Sequence, residues 1–286
     1  MSVSKRSIAI LAVSCLWMTN FCIGQELGAE SVCIKNQIES QISAARRKSR
    51  ISETSGLSVP LSRIRKPYHL DSEALGEGLF GRVFRGTMPI DISFYTSENN
   101  KIEPGAAIAI KVPYASPPNI GSVRQEGQWL EQISRVDPKH RFVRGAWDTK
   151  RGILITEFVS GEHSLDDFSP YSDPKINDQM LSKWIGQLRE IGEVLLEAHV
   201  VHSDLQPQNI RITSDYNLEV IDFSLAAAEG SYPPHLGGNR FGNAAYSTKN
   251  QQLDGAASHE DDLYALHEIE SRLIQLREQL LKHPMH

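Results

Sequence analysis

The feature that most constrains this sequence is a set of polar residues placed around two short apolar stretches. Asp204 and Asn209 come first, and Asp222 follows eighteen positions after Asp204. Between them, strand-like segments at 210–212 and 218–221 are separated by turn-forming residues, so the interval is long enough for a strand, a turn and a second strand. We therefore expect the two carboxylates to face one cleft.

A second feature is the spacing of Gly76, Gly78 and Gly81, with Val83 two positions after the last glycine. Glycine lets a backbone turn tightly and approach an anionic phosphate without a Cβ in the way. The spacing alone is weak evidence, because a strand–helix version binds dinucleotides and a plain glycine-rich hairpin has a similar composition. Strand-like residues at 69–70 and again after the glycines favour a lid over phosphates.

The order of the remaining patterns indicates the fold class. Sheet-like segments come first and helix-like segments later, with strands expected at 107–110 and 152–156 and helices expected at 121–135, at 177–199 and from residue 260 onward. This order predicts an α+β fold with a small β-rich N-lobe at about 68–159 and a helical C-lobe at about 160–286.

Six segments, in this order along the chain, resemble motifs of eukaryotic-like protein kinases. They are residues 75–83, residues 108–111, Glu126, residues 202–209, residues 222–224 and residues 262–266. The region around Tyr246 is also similar to the casein kinase one branch. The resemblance covers residues 68–286 and implies a two-lobed protein kinase-like fold with a truncated helical C-lobe.

The resemblance also implies roles for single residues. Asp204 would accept or orient the proton of the acceptor hydroxyl, with Lys111 and Glu126 completing the catalytic set. Asn209 and Asp222 would hold Mg²⁺, and ATP is the implied phosphoryl donor. The residues implied to contact ATP are Gly76, Gly78, Gly81, Val83, Ala109, Lys111, Glu157 and Val159.

Lys111 ends an apolar run, and a lysine buried there needs an anionic partner. Glu126 is the best candidate because Leu130, one turn on, shares its helix face as the family pattern expects. Glu131 is the competitor, but it lacks a matching apolar residue four positions later. The simpler interpretation of Glu126 is a solvated helix charge.

Several positions depart from the family pattern. Ser203 replaces the catalytic-loop arginine that normally receives an activation-loop phosphate, which puts phosphorylation control in doubt. Gln206 replaces a lysine beside the transferred phosphoryl group, and Ser224 replaces a glycine. Arg211 stands where the family places an apolar floor for adenine, and it could snorkel out of the cleft.

In spite of these departures, the resemblance to protein kinases predicts an ATP- and Mg²⁺-dependent phosphotransferase acting on a protein serine or threonine hydroxyl. The alternatives are a small-molecule kinase of the aminoglycoside phosphotransferase type and a pseudokinase scaffold that binds nucleotide or a partner. The net charge of −5 argues against a mainly nucleic-acid-binding protein. A protein substrate is expected, and a small-molecule substrate is possible.

The N-terminal residues have a different pattern. Lys5 and Arg6 precede a short apolar run, and small residues at 22 and 24 allow cleavage before Gln25, so residues 1–24 are typical of a secretory signal peptide. An uncleaved membrane anchor and a mis-assigned start are the alternatives. Residues 25–67 are predicted to form a polar linker, or else an amphipathic segment with a basic end for membrane or partner docking.

We predict that residues 1–24 are removed during export. Mass spectrometry of the protein purified from its native source should then show an N-terminus near Gln25, because the small residues before it form the cleavage site. An intact Met1 on a cytosolic protein would contradict this prediction, and an intact Met1 on a membrane-bound protein would favour the anchor.

Overall fold

The structure is a computed structural model, and it describes residues 56–282 apart from 92–93, 98–99, 162, 171–172, 174, 234–235, 237–239 and 241. The predicted signal segment and the first part of the predicted linker lie outside these residues. Within the described part, none of the helices is both long enough and apolar enough to cross a membrane.

The N-lobe is built on an antiparallel sheet. Its elements are α1 (Leu61–Tyr68), β1 (Ala74–Glu77), β2 (Gly81–Thr87), β3 (Phe94–Ser97), β4 (Asn100–Ile102), β5 (Ala107–Pro113), α2 (Pro117–Ser134), β6 (Gly145–Asp148) and β7 (Ile153–Glu157). Five strands form one sheet in the order β1-β2-β5-β7-β6, and β3 pairs separately with β4.

The C-lobe is mainly helical. Its elements are α3 (Asp178–Ala198), β8 (Val200–Val201), a 3₁₀ helix (Pro207–Asn209), β9 (Ile210–Ile212), β10 (Leu218–Val220), β11 (Ala227–Ala228), a second 3₁₀ helix (Ala244–Tyr246), α4 (Lys249–Gln252) and α5 (His259–Lys282). The short strands pair as β9 with β10 and β8 with β11. The predicted α+β class with a β-rich lobe followed by a helical lobe is confirmed.

The helix α3 forms where the long amphipathic pattern predicts a helix. Asn177 caps its N-terminus by accepting a hydrogen bond from Met180 N, and His199 ends it in the left-handed conformation. Its predicted apolar stripe is buried in the C-lobe core, namely Leu181, Trp184, Ile185, Leu188, Ile191 and Leu195. Burial of this stripe fixes α3 in the C-lobe, directly before residues 202–209, the segment that the sequence predicts to be the catalytic loop.

The folded region begins upstream of residue 68, where the sequence predicted a boundary. Ser58 N donates to Pro113 O at 2.8 Å, and Ile64 and Tyr68 of α1 are buried in the N-lobe core. The Tyr68 hydroxyl also donates to Asp148 Oδ2 at 2.9 Å. Residues 56–67 are therefore part of the N-lobe, although the polar composition of residues 25–67 predicted a linker.

The predicted strand at 69–70 is wrong. His69 follows α1 as its C-cap with a φ of 42°, which is left-handed and incompatible with a strand. The first strand begins at Ala74 and contains Gly76, which pairs with Val83 across the hairpin.

The helix α2 packs unusually close to the sheet at Gly127. A Cβ at Gly127 would lie 2.8 Å from Trp147 N and 3.3 Å from Leu154 Cδ1. The absence of a side chain thus sets the distance between α2 and strands β6 and β7, and the neighbouring Glu126 is held at the inner face of the helix.

We predict that Gly127→Ala lowers the free energy of unfolding. Overpacking against a rigid strand costs about 1–3 kcal/mol, and the close approach to a backbone nitrogen places this site at the upper end. That cost exceeds the gain of about 1 kcal/mol from the helix propensity of alanine. Urea denaturation measures the difference.

Gly186→Ala is the matched control, because Gly186 is an exposed position of α3. Apart from its own helix backbone and chain neighbours, a Cβ added there would lie more than 4 Å from every atom of the part of the chain that the structure describes. We expect this variant to be as stable as the wild type or up to about 1 kcal/mol more stable. If Gly127→Ala behaved like Gly186→Ala, the close packing of α2 would not constrain the fold.

Candidate active site

A cleft of about 470 Å³ opens between the sheet and the first C-lobe strands. Its lining includes nine of the predicted site residues, namely Gly76, Gly78, Val83, Ala109, Lys111, Glu126, Glu157, Val159 and Asp222. Gly81, Asp204 and Asn209 lie outside this lining. The enclosed part of the cleft is therefore formed by the N-lobe, the segment after β7 and the Asp222 loop.

Lys111 joins three separate parts of the cleft. It lies on β5, and its Nζ donates to Glu126 Oε2 at 2.7 Å and to Asp222 Oδ1 at 2.9 Å. Glu126 comes from α2, whereas Asp222 follows β10. The ammonium group consequently fixes α2 and the Asp222 loop relative to the sheet.

Lys111 and Asp222 stabilise each other's charge, whereas burial and the Asp222 charge raise the pKa of Glu126 to about 7 against the opposing effect of Lys111. Burial alone would lower the pKa of Lys111, but the carboxylates of Asp222 and Glu126 outweigh burial and raise that pKa. Burial would likewise raise the pKa of Asp222, but the Lys111 ammonium lowers it to about 2. Lys111 and Asp222 are thus both charged at neutral pH.

The segment after Asp222 is held against α2. Phe223 N donates to the second carboxylate oxygen of Glu126 at 3.2 Å. Ser122 Oγ donates to Ser224 O at 3.2 Å, and Trp129 Nε1 donates to Ala226 O at 3.2 Å. A shift of α2 would therefore move both Lys111's partner and the backbone that positions Asp222.

Asp204 is held from two sides by amide groups. Asn209 Nδ2 donates to Asp204 Oδ2 at 3.0 Å and to the Asp204 carbonyl at 2.9 Å. Gln206 Nε2 donates to both carboxylate oxygens at 3.1 and 3.2 Å. Burial and the charge of Asp222 nevertheless raise the pKa of Asp204 to about 7, against the opposing effect of these donors.

The backbone on the N-terminal side of Asp204 is anchored by a buried carboxylate of α5. Asp262 accepts hydrogen bonds from His202 N at 2.7 Å and from Ser203 N at 3.0 Å. The His202 ring packs on Phe223 with a centroid distance of 4.5 Å, and Asp204 N donates to its Nδ1. Burial lowers the pKa of His202 to about 4, so the ring is neutral.

The segment after β7 is linked to the sheet and to a neighbouring loop. The Glu157 carboxylate lies 2.9 Å from His140 Nε2 and accepts from Arg144 N at 3.2 Å, so this side chain is engaged outside the cleft. Phe158 N donates to Ala107 O at 3.1 Å. Any contact of Glu157 with a nucleotide would therefore be made by its backbone.

Arg211 has a partner that keeps it at the edge of the cleft. Its Nη2 donates to Gly161 O at 2.8 Å, while the side chain still contributes to the cleft lining. The guanidinium is thus turned toward the loop after β7, as a snorkelling side chain would be. Arg211 occupies part of the space where an apolar floor would otherwise lie.

The space available for a side chain differs among the three glycines of the hairpin. A Cβ at Gly81 would lie 2.3 Å from Val112 O, because β2 and β5 approach closely at that point. Among the described residues other than the chain neighbours, no atom lies within 4 Å of a Cβ added at Gly76, and the nearest atom to a Cβ at Gly78 is 3.9 Å away. Strand packing therefore requires glycine at 81, whereas Gly76 and Gly78 leave open space above the cleft.

Sequence reasoning missed two residues that contact the catalytic loop. Asn243 Nδ2 donates to Gln206 Oε1 at 3.2 Å, and Arg240 Nη2 donates to Ser203 Oγ at 3.1 Å. Both lie more than thirty positions from their partners in an irregular segment. Neither periodicity nor motif spacing carries a signal for such contacts.

Comparison with known proteins gives one family. Residues 70–241 match the model of the family described as protein tyrosine and serine/threonine kinase. Among curated relatives, serine/threonine-protein kinase chk-1 of Caenorhabditis briggsae is 27% identical over 156 residues, which is 53% of this chain and 29% of that protein. Serine/threonine-protein kinase PknA of Mycobacterium tuberculosis is 34% identical over 85 residues, or 29% of this chain and 20% of that protein.

A third relative, the probable serine/threonine-protein kinase PknB of Lactococcus lactis, is 28% identical over 116 residues, covering 40% of this chain and 18% of that protein. The chain thus spans less than a third of the length of each of these three relatives. Since the family model matches more than half of the chain and the cleft carries the lysine, glutamate and aspartates described above, the chain belongs to the protein tyrosine and serine/threonine kinase family.

Proposed function

We propose that this chain transfers the γ-phosphoryl group of ATP to a serine or threonine hydroxyl of a protein, with Mg²⁺. The observation that carries the proposal is the position of Lys111 Nζ, 2.7 Å from Glu126 and 2.9 Å from Asp222. This single ion cluster ties together the sheet, α2 and the Asp222 loop, so the cleft is assembled without a ligand. The names of the relatives support a serine or threonine acceptor.

The residues of the cleft fit a magnesium–nucleotide complex. Mg²⁺ prefers oxygen ligands and usually takes only one or two from the protein, with phosphates and water supplying the rest. Asp222 is ionised, and Asn209 donates through its amide nitrogen, which leaves its amide oxygen as an acceptor. Asp222 and Asn209 would hold the cation, which when bound neutralises charge on the phosphates.

The residues of the cleft would then have separate roles in phosphoryl transfer. Lys111 would bind the α- and β-phosphates, and Glu126 would keep Lys111 in place. Asp204 would orient the acceptor hydroxyl and take its proton, and the raised pKa of Asp204 suits a group that must accept a proton near neutral pH. Gly76 and Gly78 would let the hairpin close over the phosphates.

Neither alternative predicted from the sequence gains support. The matching family model and the three relatives are protein kinases, and a small-molecule kinase is not among them. A pseudokinase scaffold would not need a half-buried aspartate held by two amide donors, as Asp204 is. Phosphoryl transfer to a protein is therefore the function that the site supports best.

We predict that Mg²⁺–ATP raises the melting temperature. A ligand present at 100 times its Kd stabilises the folded state by about 2.7 kcal/mol. For a domain of this size that corresponds to roughly 5–10 °C. Differential scanning fluorimetry should show this rise with Mg²⁺–ATP and a smaller one with ATP plus EDTA. An unchanged melting temperature at millimolar Mg²⁺–ATP would contradict nucleotide binding.

We predict that Asp204→Ala and Asp222→Ala have different defects. Asp204→Ala should lower the transfer rate by about 10²–10⁴-fold while the Kd for Mg²⁺–ATP stays within about twofold, because Asp204 serves the hydroxyl and not the phosphates. Asp222→Ala should instead weaken magnesium-dependent nucleotide binding. Single-turnover transfer of radiolabelled phosphate and equilibrium nucleotide titration measure the two effects.

Asp215→Ala is the control for these variants, since Asp215 is an exposed residue of the turn between β9 and β10. Its transfer rate and nucleotide affinity should equal those of the wild type. If Asp204→Ala and Asp222→Ala lost nucleotide binding equally, the separate roles assigned to them would be wrong.

A further inference from the structure

Arg240 forms a buried ion pair beside the catalytic loop. It lies in the activation segment, which we define as residues 224–246, and its Nη1 donates to Asp261 Oδ2 at 2.6 Å. The Arg240 side chain is 0% exposed and that of Asp261 is 1% exposed. The other end of the guanidinium, Nη2, donates to Ser203 Oγ at 3.1 Å. Arg240 therefore connects the activation segment, α5 and the residue that precedes Asp204.

Both residues of this ion pair make further hydrogen bonds to their surroundings. Arg240 N donates to Asp254 Oδ1 at 2.7 Å, and Nη1 also lies within 3.4 Å of the carbonyl oxygens of Gly255 and Ala256. Thr248 Oγ1 donates to the other oxygen of Asp261. Nη1 and Nη2 of the guanidinium thus donate to internal acceptors, whereas the buried Nε has no hydrogen-bond partner among the described residues.

Ser203 has a backbone conformation that requires external support. Its φ is 67°, a left-handed value that costs a residue other than glycine about 1–3 kcal/mol. Three different elements hold its three polar atoms. Asp262 accepts from Ser203 N at 3.0 Å, Gln251 Nε2 donates to Ser203 O at 2.5 Å, and Arg240 donates to the side-chain oxygen.

The direction of Asp204 depends on this support, because Ser203 and Asp204 are consecutive in the chain. One of the three anchors, Arg240, lies in the activation segment, and a second, Gln251, lies in α4. If the contact with Arg240 were lost, only the Asp262 and Gln251 anchors would oppose relaxation of the strained backbone at Ser203. The carboxylate of Asp204 would then move relative to Lys111 and Asp222.

Arg240 also balances two adjacent buried carboxylates. Asp261 and Asp262 are both buried, and burial together with the neighbouring Asp261 charge raises the pKa of Asp262 to about 7, whereas Arg240 lowers it. Without Arg240 the charge of the Asp261 carboxylate would be left buried and uncompensated. Asp262 would then take up a proton and accept less well from the His202 and Ser203 amides.

We propose that Arg240 is a positioning residue for phosphoryl transfer: it fixes Ser203, and through Ser203 it fixes Asp204, by an internal ion pair that takes the place of an activating phosphate. This inference rests on the proposed kinase function. It explains how a catalytic loop with serine at position 203 is ordered, since the cation comes from the activation segment itself. The nucleotide site does not depend on it, because Arg240 contacts none of the cleft residues described above.

The test uses three variants of the full chain. Arg240→Met removes the charge at similar length, Arg240→Lys keeps the charge with fewer donors, and Arg240→Met/Asp261→Asn removes both charges of the pair. The readouts are kcat and KM for Mg²⁺–ATP, the melting temperature, and hydrogen exchange of the His202 and Ser203 amides. Arg189→Met is the control, because Arg189 forms an exposed ion pair with Glu270.

We predict that Arg240→Met lowers kcat by about 10–100-fold, the size expected when a catalytic group is misplaced by about 1 Å. KM for Mg²⁺–ATP should stay within about twofold, and the His202 and Ser203 amides should exchange faster. Arg240→Lys should recover part of kcat. The double variant should recover melting temperature, since no unpaired charge is left buried, but not kcat. Arg189→Met should match the wild type throughout.

A double variant that recovered kcat together with melting temperature would overturn the proposal, because Arg240 would then act only on stability. Unchanged amide exchange at 202–203 in Arg240→Met would overturn it too. A wild-type protein without transfer activity would contradict the proposed function, and the exchange result would still decide whether Arg240 orders the loop.

Phosphatase treatment of the wild type should change kcat by no more than about twofold, a shift of about 0.4 kcal/mol in the barrier. A tenfold loss would show that a phosphate is needed.

Discussion

The rest of the cleft depends on one buried ammonium group. Lys111 on β5 is bonded to Glu126 of α2 and to Asp222 of the loop after β10. A charge taken out of water is tolerated only with close opposite charges, so the two carboxylates each require the Lys111 ammonium, and the ammonium requires them. The small sheet, α2 and the Asp222 loop are consequently positioned together.

A second buried charge cluster gives the catalytic loop its support from below. Asp262 binds two backbone amides of that loop, and the adjacent Asp261 pairs with Arg240 from the activation segment. The two clusters are linked through the catalytic loop, because His202 packs on Phe223, the residue after Asp222. The active-site geometry thus results from two buried charge networks joined by the His202–Phe223 ring contact and by the hydrogen bond between His202 Nε2 and Ile221 O.

Much of this arrangement was predictable from local patterns. The strand ending at Lys111 and the helix α3 follow from apolar runs and amphipathic spacing, and the α+β class follows from their order. The prediction failed where composition was misleading. The polar composition of residues 25–67 predicted a linker, yet Ile64 is buried in the N-lobe together with Tyr68, which follows that range. His69 ends a helix where a strand was predicted.

The order of amino acids alone specifies the elements and the identity of the polar groups that meet in the cleft, because strand and helix periodicity and motif spacing are properties of nearby residues. The contact of Arg240 with Ser203, and the place of Gln206 between Asp204 and Asn243, arise only in the folded chain. Such contacts join irregular segments that are distant in the chain. Their partners are selected by burial, which forces each charge and amide to find a hydrogen bond, and burial is fixed only once the whole fold has formed.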